Sequence, residues 1–315
     1  MFSWKIVKQI VPQLTYAQHK GQLGKIGVIG GCREYTGAPF YAGIAAQRVG
    51  ADLVTIMCSE EAGIPIKCYS PELIVCPVIQ LKDCAEESDQ FKQVCETNYN
   101  SIVSLLDRID SVVIGPGAGR HPVMIHTLEK VISYLIEKNK PLVIDGDGLW
   151  VVTQKPSLLT GARKVILTPN QMEFTRLWNA VMSDKKNPAD LTVDPIITQL
   201  SSEMGGVAIL QKGEIDRVAE GDLLGRVTNN GAPRRCGGQG DVVAGVMGVM
   251  NLWSHRASDL ECPPCLTAGM VTARLVKEAA EKAFEKKRRG MTAISLVEEL
   301  PELIDRVNEW WMCLL

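Results

Sequence analysis

Six short apolar runs, each bounded by Gly, Pro, Asn or Asp and each followed by residues with helical spacing, constrain this chain more than any other feature. They are KIGVIGG (25 to 31), DLVTIMC (52 to 58), SVVIGPG (111 to 117), PLVIDGD (141 to 147), KVILTPN (164 to 170) and VAILQKG (207 to 213). Runs of this length and β-branched content read as strands buried on both faces. Between them, segments such as HPVMIHTLEKVISYLIEKN return apolar residues at three- and four-residue steps, the pattern of helices packed on one side. Regular alternation of strand and helix predicts an α/β fold, with a mostly parallel central sheet flanked by helices on both faces. Late in the chain the pattern changes: DRVAEGDLLGRVTNNGAP (216 to 233) predicts short antiparallel strands, followed by helices over 240 to 253, 265 to 284 and 295 to 311. The basic run EKKRRG (285 to 290) between the last two reads as a solvated helix end. With no linker or low-complexity stretch, residues 1 to 315 are expected to form a single domain.

Charge and cysteine content narrow the function classes. The 34 basic and 36 acidic residues leave a net charge of -2, too even to favour a polyanionic partner, so no nucleic acid is expected. No apolar run approaches the roughly 18 residues that cross a bilayer, and MFSWKIVKQIVPQL lacks the pattern of a secretory signal. A soluble, cytoplasmic protein is expected, a mitochondrial form requiring a leader from a spliced or trimmed variant. The 10 cysteines are scattered and read as reduced thiols. One CxxC, Cys262 to Cys265, has no second CxxC or His pair near it and does not read as a metal site.

In parallel sheets ligands bind beyond the carboxyl ends of the strands, and this chain concentrates its unusual residues there. VVIGPGAGR ends in Gly115, Gly117 and Gly119; LVIDGDGLW carries Asp145 and Asp147; VILTPNQMEF carries Asn170 and Glu173; AILQKGE carries Lys212 and Gly213. The densest stretch is RRCGGQGD (234 to 241). Glycines 237, 238 and 240 allow positive φ and close approach of backbone N–H groups to an anion, and a helix starting after them adds the positive end of its dipole. A carboxylate there would repel phosphate, so Asp241 is given a different role, that of accepting the proton of a hydroxyl that attacks a phosphoryl group. The helix start is expected to make it a weak base. Neither GxxxxGK[ST] nor a nicotinamide GxGxxG fingerprint is present.

GGQGD followed by a small-residue helix resembles the anion-hole and catalytic-acid motif of the ribokinase-like superfamily. More closely, the chain is similar to the ATP- or ADP-dependent NAD(P)H-hydrate dehydratases in their eukaryotic form. HKGQLGKIGVIGG, EYTGAPFYAGIAAQRVGADLV, SPELIV, VVIGPGAGR, VIDGDGLW, LTPNQMEF, QKGEID, RRCGGQGDVVAGV and RRGMTAISLVEELP carry the resemblance over nearly the whole length. It implies a ribokinase-like fold and repair of NADH or NADPH hydrated at C6 (NADHX, NADPHX). ATP would phosphorylate the C6 hydroxyl, and loss of phosphate would restore the dihydropyridine.

By the same resemblance Asp241 is catalytic, and Gly237, Gly238 and Gly240 form the anion hole. Lys212, Gly213, Glu214, Ile215 and Asp216, with Ala232, Pro233, Arg234, Arg235, Cys236 and Gln239, correspond to nucleotide-contacting positions. Gly119 and the run Asn170, Gln171, Met172, Glu173, Phe174, Thr175 and Arg176, together with Asp241, correspond to the hydrate site. Glu173, in an NxxE pattern, is expected to hold water around Mg²⁺. Tyr35, Thr36 and Gly37 resemble a substrate-side element. Relatives commonly read DADGLW; here Gly146 separates the two acids, which is expected to leave Asp145 less firmly held. A homo-oligomer and a functional link to an NAD(P)HX epimerase are further implications.

A vitamin-precursor or sugar kinase of the same superfamily would share the loop and the acid, and differs in releasing a phosphorylated product. A nucleotide-binding regulator without catalysis fits less well, because Asp241 and all three loop glycines are present. ATP against ADP, and NADHX against NADPHX, stay open at the level of sequence.

Overall fold

The computed structural model describes residues 4 to 182 and 193 to 312. Seven parallel strands form the body of one nine-stranded sheet: β1 (Lys25–Ile29), β2 (Leu53–Ser59), β3 (Ile74–Ile79), β4 (Ser111–Ile114), β5 (Leu142–Ile144), β6 (Val165–Leu167) and β7 (Ala208–Gln211). Antiparallel β8 (Asp216–Glu220) and β9 (Leu223–Val227) complete it, in the spatial order β3-β2-β1-β4-β5-β6-β7-β8-β9. All six apolar runs supply a strand, and the 216 to 233 segment supplies the antiparallel pair. Strand β3 was not among the six. Its Pro77 removes a ladder donor, which argues against a strand in sequence but is tolerated on the sheet edge that β3 occupies.

The connecting helices are α1 (Trp4–Ile10), α2 (Gly37–Arg48), α3 (Glu60–Tyr69), α4 (Asp89–Leu106), α5 (Pro122–Glu137), α6 (Gly146–Gln154), α7 (Gln171–Val181) and α8 (Val193–Glu203). After the antiparallel strands come α9 (Gln239–Arg256), α10 (Pro264–Lys287), α11 (Ala293–Val297) and α12 (Leu300–Met312). The helix expected over 295 to 311 is therefore two. The break falls at Glu298 and Glu299, where the buried Glu299 carboxylate takes two hydrogen bonds from Lys286 at 2.8 Å each, and Pro301 enters the first turn of α12.

Alternation along the strands divides the core into two layers. Val28, Val113, Val143 and Ile166 pack with α2, α9 and α10 on one face, while Ile29, Ile114, Ile144 and Leu167 pack with α4 to α8 on the other. Helices α2 and α9 touch backbone to backbone: a Cβ on Gly245 would lie 2.0 Å from the Ala42 carbonyl oxygen. Strand order reverses between β1 and β4, the switch point where ligands enter such sheets. The exits of β1 and β4 carry Tyr35 to Gly37 and Gly115 to Gly119, so the fold brings the substrate-side element beside the first glycine run.

Candidate active site

Asp145 ends β5 and is 4% exposed. Its Oδ1 accepts from Thr168 Oγ1 at 2.8 Å and from Lys212 Nζ at 2.7 Å, drawing the exits of β5, β6 and β7 onto one carboxylate. The expectation that Gly146 would loosen Asp145 is thus corrected. Gly146 opens α6 with φ +50, and the carboxylate is fixed from neighbouring strands, not by residue 146. Burial alone would lower the Lys212 pKa, but the Asp145 and Glu173 carboxylates outweigh it and leave the ammonium firmly charged.

The glycine loop closes over this pair. Gly238 is the N-cap of α9 with φ +89, a left-handed conformation that a side chain resists, and Gln239, Gly240 and Asp241 form the first turn. At Gly240 a Cβ would sit 3.4 Å from Lys212 Nζ, so the ammonium lies directly against the loop. At Gly237 the same construction meets nothing within 4 Å, which leaves that stretch of backbone open to a ligand. Burial first, then the Asp145 carboxylate, push the Asp241 carboxyl up to about 7, with Lys212 offsetting only part. This corrects the expected weak base: burial and the Asp145 charge raise its affinity for a proton, and near neutral pH Asp241 is poised to take one.

Two cavities flank these residues. One, of about 630 Å³, is lined by Tyr35, Gly117, Gly119, Asp147, Trp150, Glu173 and Arg176. The second, of about 530 Å³, is lined on its polar side by Asn170, Lys212, Gly213, Glu214, Asp216, Arg235, Cys236, Gln239 and Gly240, and on its apolar side by Val243, Ala273, Val276 and Ala280. Gly119, Glu173 and Arg176 thus share the first cavity, and most of the residues matched to nucleotide contacts share the second. Asp241 itself lines neither cavity, but Lys212 of the second and Glu173 of the first both act electrostatically on it, and its neighbour Gly240 borders the second.

Other expected positions are placed differently. Phe174 is wholly buried in the core against Trp178, at a centroid distance of 6.5 Å, and its side chain lines neither cavity. Asn170 borders the second cavity rather than the first. Gln171 accepts from Gln211 Nε2, Thr175 donates back to the Gln171 carbonyl, and Met172 is exposed. Ile215, Pro233 and Arg234 line neither cavity, although the Arg234 carbonyl accepts from Gln239 Nε2 at 3.2 Å; Ala232 is buried at the wall of the second.

The NxxE pattern forms a capping box. Asn170 Oδ1 accepts from the Met172 and Glu173 N–H groups, and Glu173 Oε2 accepts from the Asn170 N–H at 2.8 Å. This accounts for the spacing without a metal, and no cluster of three metal-ligating side chains occurs among the described residues. Glu173 Oε1 nevertheless has no hydrogen-bond partner among them, and a carboxylate oxygen facing a cavity suits Mg²⁺, which keeps most of its waters and takes one or two carboxylates.

Residues to which sequence reasoning assigned no specific role complete the walls. Asp147 Oδ2 accepts from the Gly119 N–H at 2.8 Å and its Oδ1 from Arg120 Nε at 3.4 Å, while the Arg120 guanidinium lies 4.2 Å over the Trp150 ring. DGDGLW contained the signal for Asp147 and Trp150. Lys277 of α10, which donates to the Glu214 carbonyl and lies 3.7 Å from Asp216, had none, because 63 residues separate it from Glu214 in the chain.

A family model for the NAD(P)H-hydrate dehydratases matches residues 26 to 302. The chain belongs to this family. Among curated relatives of the dehydratase family, the ATP-dependent (S)-NAD(P)H-hydrate dehydratase of Rattus norvegicus is 39% identical over 94% of this chain and 83% of its own length. Among solved structures, a ribokinase-like superfamily protein of Enterococcus faecalis superposes with a TM-score of 0.72 at 19% identity, covering 97% of this chain and 95% of its own. The ADP/ATP-dependent NAD(P)H-hydrate dehydratase of Bacillus subtilis, co-crystallised with ATP/Mg²⁺, does so at 0.64 and 19%, covering 98% and 97%. The dehydratase chain described here therefore has the ribokinase-like fold.

Proposed function

We propose that this protein restores NADH or NADPH from its S-form C6 hydrate, using ATP, or ADP, as phosphoryl donor. The observation that carries the reading is Asp241: a carboxyl with a near-neutral pKa in the first turn of the phosphate-loop helix, next to Gly240, which borders the nucleotide-sized cavity, and under the charges of Lys212 and Glu173, which line one cavity each. The donor's base fits against Val243, Ala273, Val276 and Ala280, with its phosphates running toward Lys212 and the loop amides. The hydrated nicotinamide enters from the first cavity, its C6 hydroxyl toward Asp241.

Asp241 takes the hydroxyl proton as the oxygen attacks the terminal phosphorus. The loop N–H groups and the Lys212 ammonium take up the charge gathering on the transferred group. The substrate's own ring nitrogen then expels inorganic phosphate, leaving a C6=N iminium, and loss of a C5 proton to the departing phosphate or to water restores the dihydropyridine, so no further protein base is required. When bound, Mg²⁺ would neutralise phosphate oxygens, with Glu173 Oε1 holding its water shell. Cytoplasmic residence, a homo-oligomer and a functional link to an epimerase belong to the same reading, as does one domain spanning the chain.

Hydrated NADH with Mg²⁺ and either nucleotide should regain absorbance at the dihydronicotinamide band and release inorganic phosphate, and Asp241→Asn should abolish both. A folded, ATP-binding protein that restores no absorbance with either nucleotide, yet phosphorylates a hydroxymethyl vitamin precursor, would favour the kinase.

A further inference from the structure

Tyr41, in the first turns of α2, joins the two loops that the proposed reaction must hold in register. A Cβ on Gly238 would lie 2.7 Å from Tyr41 Cδ2 and 2.8 Å from its Cε2, and a Cβ on Gly37 would lie 3.6 Å from the same Cε2. One ring edge is thus seated between the N-cap of α9, which shapes the phosphate loop, and the first residue of α2, which ends the substrate-side element. Behind it, Phe40 packs on Tyr41 at 5.7 Å between centroids and on Tyr69 at 5.3 Å, and the Tyr69 hydroxyl shares a 2.6 Å hydrogen bond with Thr36 Oγ1. The chain of contacts runs from Thr36 to Gly238 without a gap. The Tyr41 hydroxyl has no hydrogen bond among the described residues, and the contacts with Gly238 and Gly37 are made by ring carbons.

The Gly245 and Ala42 contact fixes α2 against α9 further along the helices, and at their N-terminal ends a rigid planar spacer fixes distance, which a flexible side chain of equal volume would not. We infer that Tyr41 is a positioning residue: its ring sets the gap between the substrate-side loop and the phosphate loop, and with it the alignment of the phosphoryl group on the attacking hydroxyl. The inference rests on the dehydratase reading and adds to it a residue outside both cavities. Misalignment by about 1 Å costs on the order of 100-fold in rate while leaving ground-state contacts nearly intact.

The test uses the full chain with Tyr41→Leu, Tyr41→Met and Tyr41→Phe, following NADH restored and phosphate released at saturating ATP, with a thermal melt for each variant. Leu and Met should lower kcat by about 100-fold with the KM for ATP little changed. They should also raise the phosphate released per NADH restored above unity, because water then attacks a phosphoryl group no longer aligned on the substrate. Phe, which keeps the ring, should retain most of the wild-type kcat and the one-to-one ratio. If Leu and Met merely melt earlier, while folded enzyme turns over at the wild-type rate and ratio, the inference is overturned. If Phe is as impaired as Leu, the hydroxyl rather than the ring matters and the inference is again wrong. Wild type restoring no NADH would instead sink the dehydratase reading itself.

Discussion

Asp241→Asn should make this protein more stable while abolishing its activity, and the gain should depend on pH in a calculable way. Burial and the Asp145 carboxylate raise the Asp241 carboxyl from 3.8 to about 7. The sign follows from proton binding. Between about pH 4 and 7 the unfolded chain has lost this proton while the folded protein still holds it, so stability falls as pH rises through that window and is level above it. At about 1.4 kcal/mol per pH unit, a shift of about three units makes the ionised carboxylate cost roughly 4 kcal/mol at pH 8, and only a few tenths of a kcal/mol near pH 4. Asparagine keeps the shape of the neutral acid and carries no charge. The variant should therefore match wild type near pH 4 and gain steadily to pH 7, and a gain of about 4 kcal/mol corresponds to a rise of several degrees in melting temperature for a chain of this size. Thermal melts of both proteins at pH 4, 5, 6, 7 and 8 read the difference directly. A constant difference across pH, or a less stable variant at pH 8, would refute the claim that Asp241 is held ionised against its surroundings.

Lys212→Met leaves the Asp145 carboxyl, 4% exposed, without its cation, and breaking such a buried pair costs about 3 to 5 kcal/mol; denaturant melts should show it, with activity lost as well. Gly245→Ala drives a methyl to 2.0 Å from the Ala42 carbonyl oxygen at the α2 and α9 contact, where neither backbone can yield. It should give little soluble protein, or an unfolding free energy lowered by several kcal/mol in denaturant melts, at the high end for a single substitution. His255 is held neutral, its pKa lowered to about 4 by burial and then by Lys164, with Cys265 Sγ 3.4 Å from its Nε2. The unfolded chain binds this proton at about 6.5, so stability should fall as pH drops from about 6.5 toward 4. In His255→Gln the urea midpoint should depend less on pH between 7 and 5, whatever its absolute value.

What the sequence determined by itself was whatever rests on near neighbours in the chain. Buried runs of four to seven residues announce strands because the pleat alternates regardless of what packs on it, and RRCGGQGD announces a phosphate loop because three glycines and a helix start act within eight residues. Where a local rule was broken, sequence erred: Pro77 hid the edge strand β3, and the capping role of Asn170 and Glu173 was indistinguishable from a ligand pattern until the turn was seen. Tertiary structure alone decided the chemistry of the acid. Asp145 and Lys212 lie 67 residues apart and meet only because β5, β6 and β7 end side by side. Electrostatic energy depends on distance and on the exclusion of water, neither of which a sequence states, so the near-neutral carboxyl of Asp241, the anchoring of Asp145 and the burial of Phe174 became visible only once the sheet had closed around them.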